Sequence, residues 1–305
     1  AVCEYMKKVL YTIRKDWGFS YFKIDFMRYG LLQSIMEEHG KLTANCNKPV
    51  TKVIAFNNNM TSIERTRAAL KAMREGIDDG FFLACSSIFG PTLGIVDGLR
   101  AGGDISPTFE NYKSKVFQNA GNFYLNNVVT QNDADYIVVR NKEDEESERA
   151  WGIDKFGGNV TLNEAKMWTD FVTFSGGPKI NSDNLVTLRN ERKKLIDHSF
   201  NFKNPKRFMP LDLWNYTKNK KDVFNVILAE NEDGVFLLLL NWDKVDKKFN
   251  LDGIGNAVVT SENEKTKYEL KDGKLKINLK EHSSLILKLK GRTFDSLRKS
   301  LSEIY

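Results

Sequence analysis

Asp25 and Asp104 close two short apolar runs, Tyr21-Phe22-Lys23-Ile24-Asp25-Phe26 and Gly98-Leu99-Arg100-Ala101-Gly102-Gly103-Asp104. Each run reads as a buried strand, and each carries a cation upstream of its acid, Lys23 and Arg100. Neighbouring strands of a parallel sheet deliver their ends to the same side of it. Two carboxylates facing one cleft there are the minimal equipment for breaking a glycosidic bond.

Lys23 and Asp25 lie at i and i+2, so their side chains share one face of a strand. A lysine in that place keeps the carboxylate ionised and offers a donor to a substrate hydroxyl. An ionised carboxylate can attack an anomeric carbon and form a glycosyl ester. The same spacing equally describes a structural ion pair at a strand end. In the second run, Gly102-Gly103 is expected to let the backbone turn sharply and to keep bulk out of the cleft. Asp104 would then donate a proton to the leaving oxygen and later activate water. A tight turn with a capping Asp before Pro107 fits these residues as well. Asp97 is the rival carboxylate, ranked second because it lies inside the strand run.

Cys85-Ser86-Ser87 follows the apolar run Phe81-Phe82-Leu83-Ala84. A catalytic cysteine needs a histidine base, and nothing in the sequence places one, so these small residues read as the wall of a sugar pocket. Asn132-Asp133 fits a turn or a pocket rim. Ser175-Gly176-Gly177 lacks the GxxxxGK of a phosphate loop and reads as a close-packed loop at a strand end. Trp17, Trp151 and Trp168 could stack on sugar rings, although Trp168, on a helix, reads as core.

The elements that must position these groups follow from periodicity. Val2 to Lys15 has helical spacing and is stopped by Asp16-Trp17-Gly18, and Phe19 to Phe26 is a strand. Thr61 and Glu64 form a capping box for a helix to about Arg74. Asp78-Asp79-Gly80 turns into the strand Phe81 to Cys85, and Gly94 to Arg100 is the next. A helix over Asn111 to Phe123, a strand at Tyr136 to Val139, and a charged loop over Asn141 to Arg149 come after it. Thr161 and Glu164 open a helix through Trp168, Phe171 to Phe174 is a strand, and Asp183 precedes a helix to about Ile196. Beyond Pro205 come short strands at Val223–Leu228, Val235–Asn241, Ala257–Thr260, Leu275–Leu279 and Ser284–Leu289. Asp233-Gly234 and Asp272-Gly273 serve as turns among them. The fold class is therefore α/β, with a partial barrel over 1–200, an antiparallel β domain over 205–291 and a helical tail over 292–305.

Composition narrows the function classes. The chain has 305 residues, 41% hydrophobic and 28% charged, which excludes a disordered chain and allows two domains. Its net charge is +6 and its pI about 9.0, but the basic residues are scattered and Lys218-Asn219-Lys220-Lys221 sits in a polar connection. Scattered charge reads as a solvated surface, with no nucleic acid as partner. Cys3, Cys46 and Cys85 show no paired spacing, which points to a reducing, cytoplasmic compartment. His39, His198 and His282 lie far apart with no HExxH, which argues against a zinc hydrolase. No stretch reaches the length of a membrane span, no signal peptide is evident, and no membrane partner is expected.

Taken in order, several blocks resemble the melibiase-type α-galactosidases of glycoside hydrolase family 36. Trp17-Gly18-Phe19 leading into Tyr21–Phe26 is similar to the family's nucleophile strand, and Phe82–Cys85 with Gly90-Pro91 to the next strand and loop. Val96 to Asp104 is similar to the segment bearing the acid/base. Asn132-Asp133-Ala134-Asp135 is similar to the family's Asn-Asp-Pro-Asp, with alanine in place of proline. Leu162-Asn163-Glu164-Ala165, Ser175-Gly176-Gly177 and Ser182-Asp183 complete the series. The resemblance implies the C-terminal part of a (β/α)8 TIM barrel followed by a small antiparallel β-sandwich.

It also implies an α-galactosidase that hydrolyses terminal α-galactosides of oligosaccharides by a retaining double displacement. Asp25 would be the nucleophile and Asp104 the general acid/base. Lys23, Cys85 and Arg100 would touch the sugar, as would Ser86, which stands where the family often has glycine. No cofactor is implied. Other α-glycosidases and transglycosylases share the scaffold, and a non-catalytic sugar-binding fragment is a further alternative. Only about five barrel strands can be counted, against the eight of a closed barrel, and the family's early Asp-Asp-Gly-Trp segment has no counterpart. The expectation is a C-terminal piece whose N-terminal barrel half lies on a missing segment or a partner chain. A homo-oligomer is compatible with this.

Overall fold

A computed structural model describes residues 1–28, 59–142, 158–213, 223–262 and 266–302. The expected irregular stretch at 40–49, His39, Cys46, Trp151, the lysine run at 218–221 and most of the charged loop at 141–149 lie outside the described residues. The chain divides into two compact units, residues 1–100 and 101–305.

In the first unit, helix α1 (Val2–Tyr11) widens into a π-helical turn over Thr12–Asp16 and stops before Gly18, at φ +79°. Strand β1 is Tyr21–Ile24 and helix α2 is Ser62–Ile77. The Thr61 side chain accepts the Glu64 amide while Glu64 accepts the Thr61 amide, as the sequence pattern predicts. Strand β2 (Phe81–Ala84), the short helix α3 (Phe89–Thr92) and strand β3 (Gly98–Arg100) follow.

The three strands are parallel neighbours, with Phe22 opposite Phe82, Ile24 opposite Ala84, and Ala84 opposite Leu99. The expected strand over 94–100 is shorter than its apolar run. The Ile95 and Val96 amides close back on the Thr92 carbonyl and cannot join a ladder. Leu10, Phe22, Leu70, Ile77, Phe82, Ala84, Ile95 and Val96 form the core of this unit. Helix α1 comes so close to α2 that a Cβ on Gly76 would collide with the Lys7 carbonyl.

The second unit holds helix α4 (Phe109–Ala120, capped by Thr108), strands β4 (Gln131–Asp133) and β5 (Tyr136–Ile137), and helix α5 (Leu162–Phe174). Strand β6 (Ile180–Asn181) pairs in parallel with β5, and helix α6 is Asn190–Asn201. The second capping box, Thr161 with Glu164, forms as expected.

One expectation fails here. Phe171 to Phe174 is the last turn of α5, not a strand: all four residues are buried, Thr173 included, and a short run buried on every side has no period to tell helix from strand. The helix expected after Asp183 forms as α6, but Asp183 itself does not cap it: its buried carboxylate accepts the Val139 amide (2.7 Å) and pairs with the Arg140 guanidinium (2.9 Å). Helix α6 begins seven residues later.

Beyond α6 the chain turns antiparallel. Strands β7 (Arg207–Pro210), β8 (Val226–Asn231), β9 (Gly234–Asn241), β10 (Lys247–Leu251), β11 (Val258–Ser261), β12 (Lys267–Tyr268), β13 (Leu275–Leu279) and β14 (Ser283–Lys290) precede helix α7 (Phe294–Ser302). Six of them form one sheet in the order β12-β11-β14-β9-β8-β7, and β10 pairs with β13.

The run Val235–Leu240 is buried at every position, and alternation divides it between two cores. Phe236, Leu238 and Leu240 join Trp168, Phe171 and Phe174 of α5, while Val235, Leu237 and Leu239 join Phe249 and Leu251 of β10, Ile277 of β13 and Leu297 of α7. The expected β-sandwich is thus a six-stranded sheet with a two-stranded ribbon and a helix on one face and helices on the other. Asp272 and Gly273, at φ +51° and +70°, make the expected tight turn. Strands β7, β10 and β12 escaped the sequence pattern because two, two and none of their residues, respectively, are buried. No helix among the described residues is long and apolar enough to cross a membrane.

Candidate active site

The parallel register of the first unit extends past the strand ends. The Cys85 amide donates to the Ile24 carbonyl (2.8 Å), and the Met27 and Arg28 amides donate to the Cys85 and Ser86 carbonyls (3.3 and 2.8 Å). Asp25, Cys85 and Arg100 therefore follow directly on the paired residues Ile24, Ala84 and Leu99. They form one row across the carboxyl ends of β1, β2 and β3, with Lys23 on the same face of β1 as Asp25.

Arg100 Nη1 lies 3.6 Å from Cys85 Sγ. The thiol is pushed up to about 11, chiefly by burial and then by its hydrogen bond to the Asp25 carboxylate, against the pull of Arg100 and Lys23. Cys85 is therefore a protonated donor across the physiological range and no nucleophile.

Two backbone features in this row were not legible in the sequence. Phe26 and Ser86, the residues after Asp25 and Cys85, adopt φ of +57° and +49°. A side-chain-bearing residue in that region costs about 1–3 kcal/mol, and such strain gathers at functional sites. The Asp25 carboxylate accepts the Phe26 amide at 2.6 Å, which fixes its orientation at the strand tip, and its side chain remains exposed. The strain lies in φ angles, which residue identity leaves undetermined outside glycine.

Asp97 occupies the opposite end of this sheet. Its Oδ2 accepts the Phe82 amide (2.7 Å) and the Arg74 guanidinium (2.5 Å), and its amide donates to the Phe82 carbonyl. Arg74 also reaches the carbonyls of Ile95 and Gly80. This rival carboxylate is a clamp at the amino end of β2 and β3, not a group in the candidate row.

Asp104 belongs to the second unit, with its side chain exposed and its backbone held from several sides. Ala101 N donates to the Asp133 carbonyl (2.9 Å), Gly103 N to Gln118 Oε1 (2.8 Å), and Ile105 N to Asp135 Oδ2 (2.9 Å). Asn111 Nδ2 reaches the Asp104 carbonyl at 3.4 Å. Gly102 and Gly103 are not required for a left-handed turn, because neither has positive φ. Their missing side chains make room for Gln118 and Lys115, which a Cβ would meet at 2.9 and 2.8 Å.

Asn132-Asp133 is neither turn nor rim. Asp133 is fully buried in β4, and its Oδ1 accepts the Asp135 amide at 2.8 Å. Asp135, at φ +79°, thereby aims its carboxylate at the Asp104 loop. The loop Ser175-Gly176-Gly177 is close-packed as expected, but at the end of a helix: a Cβ on Gly177 would collide with the Asn132 carbonyl. Trp168 is buried and donates Nε1 to the Tyr136 carbonyl (3.0 Å), whereas Trp17 is largely exposed.

No known family's sequence profile matches the chain. Among solved structures, the chain is similar to a family 27 β-L-arabinopyranosidase from Geobacillus stearothermophilus, with a TM-score of 0.64 and 14% identity, over 94% of this chain and 62% of that one. It is similar to α-galactosidase I from Mortierella vinacea, with a TM-score of 0.59 and 11% identity, over 93% and 71%. A third likeness is to a putative α-galactosidase/melibiase from Bacteroides fragilis, with a TM-score of 0.63 and 12% identity, over 93% and 57%. The chain thus spans less than two thirds of the length of the arabinopyranosidase and of the Bacteroides protein. At these identities the shared property is the fold alone, and the chain covers only part of it.

Proposed function

We propose that this chain is the C-terminal catalytic part of a retaining α-galactosidase of the family 36 type, acting on terminal α-galactosyl groups of oligosaccharides. The observation that carries this reading is the row Asp25, Cys85 and Arg100 at the carboxyl ends of three adjacent parallel strands, with Lys23 beside it. Asp25 attacks the anomeric carbon as the bond to the leaving oxygen breaks, while Asp104 gives its proton to that oxygen. Asp104 then takes a proton from water, the water attacks the same carbon, and Asp25 is released. Arg100, Lys23, the Cys85 thiol and Ser86 hold sugar hydroxyls. The reaction needs no metal or organic cofactor, because the two carboxylates supply both proton and nucleophile.

Eight strands close a barrel of this kind. The described residues of the first unit supply three parallel strands, so on this reading further strands, on the same chain or on a partner chain, complete the pocket. The sparse cysteines suit a cytoplasmic setting.

The test is hydrolysis of an aryl α-galactoside by the complete protein and by Asp25→Asn and Asp104→Asn. Asp25→Asn should abolish turnover. Asp104→Asn should spare a substrate with an activated leaving group at the first step and be rescued by azide. Equal activity in all three proteins would end this assignment. Competition between water and an added acceptor sugar separates hydrolysis from transglycosylation.

A further inference from the structure

Strands β11 and β12 pair only at Val259 with Tyr268 and Thr260 with Lys267, and then part. The gap between the segment before β11 and the segment after β12 is a cleft of about 420 Å³, within the range of roughly 300–1,000 Å³ typical of ligand pockets. Two turns come close beside it: a Cβ on Gly273 would stand 3.5 Å from the Gly255 Cα.

The lining has two chemistries. Ala257 is buried in the second core, and the half-buried Tyr268 and Leu270 pack against that core, so they give the cleft an apolar, aromatic floor. Asn256, Lys267 and Glu269 are exposed and, together with the exposed Val258, form its rim. Lys267 and Glu269 place one charge of each sign among the lining residues. An apolar floor under a rim of amide, ammonium and carboxylate suits a neutral ring with one C–H face and a hydroxylated edge.

From this we infer that the β11/β12 cleft is a second, non-catalytic site for a neutral pyranose. The inference stands on the lining of the cleft alone and goes beyond the proposed hydrolysis.

The test is a titration of the full ¹⁵N-labelled chain with methyl α-D-galactopyranoside, methyl α-D-glucopyranoside and, as a charged comparison, glucuronate. Saturable amide shifts at 255–258 and 267–273 are expected with at least one neutral pyranose, and weaker ones with glucuronate. Asn256→Ala combined with Glu269→Ala, both on the exposed rim, should weaken that binding at least about fivefold, the equivalent of one hydrogen bond, and leave aryl α-galactoside hydrolysis unchanged. Tyr268→Ala should abolish binding, and the rim variant keeps the test decisive where loss of the ring disturbs folding. No shift at these amides at the solubility limit of the sugars, undiminished affinity in the rim variant, or tighter binding of glucuronate would each overturn the inference. Loss of hydrolysis with the cleft titration intact would count against the glycosidase reading alone.

Discussion

Gly177→Ala should be among the most damaging small substitutions in the second unit. A Cβ at residue 177 falls on the carbonyl oxygen of Asn132, and both atoms belong to backbone, so no side-chain rotation relieves the clash. Either the end of α5 or strand β4 must move. Asn132 is itself fixed, since its amide donates to Asn126 Oδ1 (2.8 Å) and its Nδ2 to the Asn122 carbonyl (2.7 Å). Overpacking of this kind costs about 1–3 kcal/mol. For a unit of this size each kcal/mol lowers Tm by roughly 2–4 °C, so a fall of several degrees is expected.

Asn132 adjoins Asp133, whose carbonyl holds Ala101, so the displacement also reaches the Asp104 loop. Gly102→Ala is the control. Its Cβ meets Gln118 Oε1 at 2.9 Å, the far end of a flexible side chain, and should cost under about 1 kcal/mol. Thermal unfolding of both variants followed by circular dichroism decides the matter. A Tm for Gly177→Ala no lower than that for Gly102→Ala would refute the backbone-contact reasoning.

Asp97→Ala removes a partly exposed ion pair and the acceptor of the Phe82 amide; about 1–2 kcal/mol of stability should be lost in urea titration. Activity per folded molecule should stay unchanged, and a selective loss of turnover would return Asp97 to the active site. Cys85, with its thiol pushed up to about 11, should resist iodoacetamide at pH 8 while the less buried Cys3 reacts, as read by peptide mass mapping. Equal labelling of the two would show the thiol to be neither buried nor protonated. Burial raises Asp183 above its ordinary 3.8, despite the Val139 amide and Arg140. The folded protein therefore holds this proton more tightly than the unfolded chain. The stability it contributes is complete below pH 3.8 and is lost as pH rises through the raised value. Asp183→Asn should flatten that part of the stability–pH curve, and a curve of unchanged slope would contradict the assignment.

Residue order alone determined the elements with local causes. The capping boxes at Thr161 and Thr61 are closed by residues three positions apart, and the Asp272-Gly273 turn by two adjacent residues that tolerate positive φ. The strand ends carrying Asp25 and Cys85 were legible because each apolar run stops at a polar residue. Tertiary structure decided the rest. The run Phe171–Phe174 carries no period, and only its burial among Trp168, Phe202, Phe208 and Phe236 makes it helix. Asp97 and Asp25 look alike in sequence, yet strand register sends one to each end of the sheet, where Arg74 occupies the first and Cys85 meets the second. Local bonds are written in neighbouring residues, whereas register and burial depend on partners tens of residues away, which no short window contains.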